Sequence, residues 1–519
     1  MELKDLSSFN KLSSVKEITG DSQTDYTLPD YQGDVRRVLL CECSVKPSSS
    51  FSASDGDEFS GIVCYDVLYL DSDGELTHAA FNSDYDIKLK NGDTERVSAY
   101  PNISIGSFSV RLTGPRKFSA KAVVCASIKC ISEDEIKLSG TAFDGELAPE
   151  TLESVLKIRS ATRTESVERE YAERLERLDG QIADEIEILH SGAEIVIDEA
   201  VPNEESATLK GKLRMYALVK NGEMPVYLIE KEIPVEESVP FPEIKSDMML
   251  VPSADIVSTV AVVNADDEGA EIVLNVIAEY DVLGDYNQSV TAVTDGYLVG
   301  KETVCGYSDY RYTELVDEIK INENISCELA ASDITAEKIR EMPYLSGVLK
   351  INDAEVIDGH VKIAGELRAV GLCSVTDTNG EISYTGIKLT APLDKQFKIA
   401  EKNLGEAAVE CMLDCANLSC VVDTDTVEIN YKLTGCIAVT EQKNISVLSS
   451  LDTADNTGED VPDGTITVYY PTNGDSLFGV AKRFRVESAR IAQINSLSAT
   501  VSADGSDTTL NGVERLYIY

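Results

Sequence analysis

The chain has 519 residues, enough for roughly three to five domains that each bury a core of their own. It carries 91 acidic against 46 basic side chains, a net charge of -45; such a surface repels phosphate backbones and anionic lipid, which makes nucleic acid and membrane headgroups poor direct partners. Apolar residues make up 43%, so the chain is globular rather than disordered, and no segment approaches the roughly 18 apolar residues of a membrane span.

Met1-Glu2-Leu3-Lys4-Asp5-Leu6-Ser7-Ser8 shows neither a basic n-region nor an apolar h-region. The expectation is a chain retained in the cytoplasm, with its 12 cysteines as thiols. Residues 1–23 read as an N-terminal segment. Three copies of a β-rich unit are then expected at 24–140, 185–283 and 325–440. In the first, Gly61 opens the strand Ile62-Val63-Cys64-Tyr65-Asp66-Val67-Leu68-Tyr69-Leu70 and the turn Asp73-Gly74 closes it. Gly211 opens Lys212–Val219 before Asn221-Gly222, and Gly365 opens Glu366–Cys373 before Asn379-Gly380. An Asx-Gly turn after an alternating run is a hairpin signal. A second hairpin recurs, ending in the strands Ala122–Ile128, Ile272–Ala278 and Val427–Leu433. Three matches in one order are an internal repeat, and each unit is expected to be β-sandwich-like.

The segments between copies read differently. Val167, Tyr171, Leu175 and Leu178 fall on one face of a helix over 165–178, with Glu170 and Arg174 as an i,i+4 pair. The spacing predicts a helical linker at 141–184. Residues 284–324 form a second linker, in which Tyr307–Ile321 has the same charged, helix-leaning character. Residues 441–464 form a third; its Gly/Asp/Thr-rich part, Asp452–Gly464, reads as flexible.

No catalytic constellation is visible. The chain lacks a phosphate-loop motif, a Gly-x-Ser-x-Gly elbow and a His-Glu-x-x-His pair. His78 and His360 lie in no motif that supplies a nucleophile, and they read as surface histidines. Cys411, Cys415 and Cys420, like Cys41 and Cys43, lack Cys-x-x-Cys spacing and read as small buried side chains. No enzyme activity, cofactor or metal is expected.

The C-terminal residues 465–519 carry the most specific pattern. A strand, Ile466–Tyr470, precedes Gly474-Asp475-Ser476. Leu477, Val480, Ala481 and Phe484 then form the stripe of a short amphipathic helix, with Asp475 as its expected N-cap. A second helix holds Ile491 and Ile494 and ends at Asn495; Arg515–Tyr519 is a last strand. This βααβ order, with Gly-Asp-Ser-Leu before the first helix and Ile-Asn-Ser-Leu after the second, resembles a LysM module, a small α+β fold. The resemblance implies a shallow groove for N-acetylglucosamine-containing glycan lined by Asp475, Ser476, Leu477, Asn495 and Leu497. The loop Ser498–Thr509 is longer than is usual for that family, and Leu510-Asn511-Gly512-Val513 replaces the usual Pro-Gly-Gln turn. Glycan binding is therefore expected to be secondary to protein docking, through Phe478 and a local basic rim of Lys482, Arg483 and Arg485.

Thr27-Leu28-Pro29-Asp30-Tyr31-Gln32-Gly33-Asp34 leads into the first copy. With the repeats and the terminal module, it resembles the SPOCS-domain proteins of endospore formers, which include the SipL-type spore-coat morphogenetic proteins. The resemblance implies a mainly β, non-enzymatic scaffold in the mother cell, linking the coat to a basement-layer ATPase at the forespore surface. The rival reading is an envelope protein that binds wall glycan. A third reading is self-assembly through exposed β edges.

Overall fold

The computed structural model describes residues 6–53, 56–90, 96–137, 149–179, 183–222, 225–266, 269–335, 337–376, 382–400, 404–453, 466–497 and 508–519. A run of six strands recurs three times within them. The first unit comprises β1 (Leu6–Thr27), β2 (Val35–Ala53), β3 (Gly56–Asp71), β4 (Leu76–Lys90), β5 (Arg96–Gly114) and β6 (Lys117–Lys137). After β7 (Glu150–Arg163), the second comprises β8 (Val167–Asp179), β9 (Ile186–Asn203), β10 (Ser206–Asn221), β11 (Tyr227–Pro240), β12 (Met249–Asp266) and β13 (Gly269–Tyr297). The third comprises β14 (Thr303–Ala330), β15 (Lys338–Ile357), β16 (His360–Thr376), β17 (Ile382–Lys398), β18 (Glu406–Val422) and β19 (Thr426–Thr453), with a single helical turn α1 (Ala331–Ile334) after β14.

Each unit has the same topology. Its second, third and fourth strands make one antiparallel sheet: β2-β3-β4, β9-β10-β11 and β15-β16-β17. Its first and fifth strands flank the sixth in another: β1-β6-β5, β8-β13-β12 and β14-β19-β18. The inward positions of the two sheets interdigitate into one core per unit. Val63, Tyr65 and Ile87 meet Val124 and Ile128 in the first, Leu213 and Met215 meet Leu274 and Val276 in the second, and Ile363 and Leu367 meet Ile429 and Leu433 in the third.

The repeated glycines have a shared cause. Opposite each, the neighbouring strand skips one residue of register, at Ser48, Asp198 and Asn352. Those bulges push a carbonyl into the space of the missing side chain. A Cβ on Gly61 would lie 2.3 Å from the Lys46 oxygen, on Gly211 2.0 Å from that of Val196, and on Gly365 2.6 Å from that of Lys350.

The three units close on one another. Seven residues after each glycine, Leu68, Leu218 and Leu372 enter a common cluster with Leu40, Leu189 and Tyr344. Beside it the Tyr344 hydroxyl donates to Glu42 Oε2 at 2.7 Å and lies 3.1 Å from His190 Nε2, so each unit supplies one member. At a second junction Phe9 from β1, Ile158 from β7, Val290 from β13 and Val447 from β19 pack together. An ionic network also joins all three units. The Arg159 guanidinium, 1% exposed, is bidentate to Asp285 and to Glu410, and Lys129 reaches both carboxylates at 3.2 and 3.3 Å.

The structure corrects several expected boundaries. Residues 6–23 are not an appendage, because β1 (Leu6–Thr27) runs through that boundary as a strand of the first unit. The 165–178 helix is instead β8, and Tyr307–Ile321 lies within β14. A separation of four fits both the helical period and the strand period of two, so Val167, Tyr171 and Leu175 reach the core from a strand. A bulge at Leu175 then returns Leu178 to the buried side. In β14 the i,i+2 pair Tyr310 and Tyr312 stacks at 6.3 Å, as one face of a strand requires. Most of 284–324, and Glu441–Thr453, are likewise strand rather than linker. The 454–464 part of the flexible segment, residues 141–148 and the turn Asn379-Gly380 lie outside the described residues. His78 is half-buried in β4, and burial pushes its pKa down.

Candidate docking and glycan-binding site

Beyond the units, β20 (Thr467–Tyr469) pairs antiparallel with β21 (Leu516–Ile518), and two helices, α2 (Leu477–Phe484) and α3 (Ser488–Ile494), lie between them in sequence. The βααβ order expected for the C-terminal region is thus present. Its core holds Leu477, Phe478, Val480, Ala481, Ile491, Ala492, Leu516 and Ile518.

The first turn is set by two neighbours with different tasks. Asp475 is not the N-cap. Its carboxylate accepts from the Thr472 amide at 2.7 Å and the Tyr469 hydroxyl at 2.8 Å, and these bonds hold its pKa below the usual carboxylate range. Ser476, in extended backbone, caps α2 through its Oγ, which accepts from the Gly479 amide at 3.1 Å. Asp475 thereby shapes the approach and Ser476 starts the helix. The Leu477 amide donates to the Thr508 carbonyl, and the Leu510 amide donates to that of Asp475. The segment around Thr509 is therefore laid against Ser476.

The other expected groove residues are also committed internally. The Asn495 amide group donates to the carbonyls of Ile491 at 2.9 Å and Tyr517 at 2.8 Å, and its oxygen accepts from the Tyr517 amide at 2.7 Å. It fastens α3 to β21. Leu477 is 6% exposed, and Leu497 packs at the margin of the core. With these side chains occupied, a sugar at this face would meet chiefly backbone groups. Residues 498–507, the bulk of the expected second wall, lie outside the described residues.

The expected partner face takes a different role, because most of it seats the module on the chain's own second and third units. Phe478 is 8% exposed and meets the Tyr297 ring edge-on at 5.3 Å. Lys482 pairs with Asp295, and Arg485 lies 3.2 Å from Glu302 and offers its carbonyl to the Gly300 amide. The Tyr297 hydroxyl lies 2.6 Å from Glu150 and 2.8 Å from the Val486 carbonyl. Glu150 in turn accepts from both the amide and the hydroxyl of Ser488. Burial first, and then the Glu150 carboxylate, push the Tyr297 pKa up, so the phenol stays protonated and donates. Of the four expected face residues, Arg483 alone remains outward, its guanidinium 5.7 Å over the Tyr469 ring. Sequence reasoning missed Glu150, Asp295, Tyr297 and Glu302, whose relation to the module exists only in three dimensions.

Neither a scan of protein-family models nor a search of curated proteins returns a match to this chain.

Proposed function

We propose that this chain is a non-enzymatic scaffold of the bacterial endospore coat. In this reading, three SPOCS-like β units hold a LysM-like module that docks coat assembly to the basement-layer ATPase at the forespore. The reading rests on the sequence resemblance, and one structural observation supports it above others. The module is seated through Tyr297, Glu150, Asp295 and Glu302, so its outward face has a fixed position relative to three interlocked units. A tethered glycan hook would need no such seat, whereas a scaffold that transmits geometry between partners does.

The test is the full-length chain, fluorescently tagged, in its native sporulating cell. A ring of signal around the forespore is expected. Lys482→Glu combined with Arg485→Glu sets like charges against Asp295 and Glu302 and should unseat the module, scattering the ring while the β units stay folded. Diffuse signal from the unaltered chain would end the scaffold reading, and retention on insoluble peptidoglycan with no forespore ring would put the glycan-binding reading in its place.

A further inference from the structure

The small sheet that closes the module has two unlike faces. On the inner face Leu516 and Ile518 are 0% and 3% exposed, and Tyr469 packs edge-on against Phe484. The outer face alternates with it and is largely apolar, its one charged member being Arg515, whose guanidinium lies 5.4 Å over the Tyr517 ring. Ile466, Val468 and Tyr470 are 55%, 43% and 67% exposed, and Tyr519 is 46% exposed. Val468 lies opposite Tyr517, so these residues form one patch across both strands. Single exposed apolar residues are ordinary, but a contiguous group on one sheet face marks an interaction surface. None of the residues that seat the module belongs to β20 or β21.

Charge makes this face the one by which a second copy can approach. Residues 465–519 carry five acidic side chains (Asp475, Glu487, Asp504, Asp507, Glu514) and five basic ones (Lys482, Arg483, Arg485, Arg490, Arg515), so the net charge of -45 resides entirely in residues 1–464. Two copies that meet through their β units set acidic surface against acidic surface. Two that meet through the module set neutral surface against neutral surface. A patch on one sheet face is also self-complementary across a two-fold axis, as an isologous contact requires.

We propose that the outer face of β20–β21 is a contact between two copies of this chain, built around Val468, Tyr470 and Tyr519. The contact does not depend on the coat reading. Because the acidic units oppose the approach of a second copy, added salt should strengthen it, the reverse of its effect on an ionic interface.

Sedimentation of the full-length chain over a wide concentration range tests this. A species of twice 56.4 kDa should grow with concentration and with added salt. Val468→Lys with Tyr470→Lys should abolish it, with far-ultraviolet circular dichroism and the thermal transition unchanged. Tyr31→Lys, at an 85% exposed position in the first unit, should leave it intact. If the double lysine variant unfolds, Ile466→Ser with Tyr519→Ser serves instead and should weaken the association. An unaltered chain that stays monomeric throughout, or lysine or serine variants that associate as the unaltered chain does, overturns the proposal. So does a monomeric chain whose retention on insoluble peptidoglycan is lost in the same variants, since that outcome assigns the face to sugar.

Discussion

Removing one charge from the network that joins the three units should loosen all of them together, and its magnitude can be worked from Glu410. Burial pushes this carboxyl up, but hydrogen bonds and charge from Arg159, then Lys129, outweigh burial and hold it at about 2, against an ordinary 4.5. The side chain is 28% exposed, so solvent screening is limited. A shift of that size corresponds to about 3 kcal/mol of stability. The loss of one charge from a buried pair gives a similar figure, about 3–5 kcal/mol, because Arg159 would keep its charge with one of its two carboxylate partners made neutral. The folded pKa is depressed, so the contribution is full above the unfolded value and disappears as pH falls from about 4.5 through about 2. Glu410→Gln should therefore destabilise by about 3 kcal/mol at neutral pH, and the difference from the unaltered chain should shrink toward zero near pH 2. Urea unfolding across pH measures it, and hydrogen exchange in β6, β7, β13 and β18 should rise together. Glu406→Gln removes an exposed pair, with Arg311 58% and Glu406 72% exposed, and should change stability by less than about 1 kcal/mol. A Glu410→Gln loss that is the same at every pH, or exchange that rises in one unit alone, would show that the network does not join the three units.

Gly61→Ala, Gly211→Ala and Gly365→Ala should each cost about 1–3 kcal/mol, since each Cβ meets a backbone oxygen that sits on a bulge; a neutral result at any of the three in thermal unfolding would show that the bulges are not equivalent. Asn495→Ala leaves the Tyr517 amide without its acceptor and should cost the module about 1–3 kcal/mol, read as faster exchange at Tyr517 with the β units unaffected; unchanged exchange there would contradict it. Burial pushes Cys41 up to about 11 and Cys43, Cys415 and Cys436 up to about 12. At pH 8 an alkylating reagent should thus label these four slowly in the folded chain, yet label all 12 cysteines in denaturant without prior reduction; sites still blocked in denaturant would argue against free thiols.

Some of this protein was legible in the order of its residues because the physical cause is local. A glycine beside a bulge, an Asx-Gly turn and alternating β-branched residues act within one hairpin, so the repeat could be seen at Gly61, Gly211 and Gly365. The stripe Leu477, Val480, Ala481 and Phe484 specified α2 for the same reason, although the cap fell one residue later, at Ser476, because Asp475 was drawn to Tyr469 and Thr472. Tertiary structure decided what local signals left degenerate. Val167, Tyr171 and Leu175 satisfy a helix and a strand equally until β13 supplies a neighbour to pair with. Lys482 and Arg485 read as an exposed basic rim, and only the fold brings Asp295 and Glu302 to them across nearly 190 residues. The network of Lys129, Arg159, Asp285 and Glu410 is set in the same way. Hydrophobic period and turn geometry belong to a segment, whereas the pairing of a charge belongs to whichever strand the packed units place against it.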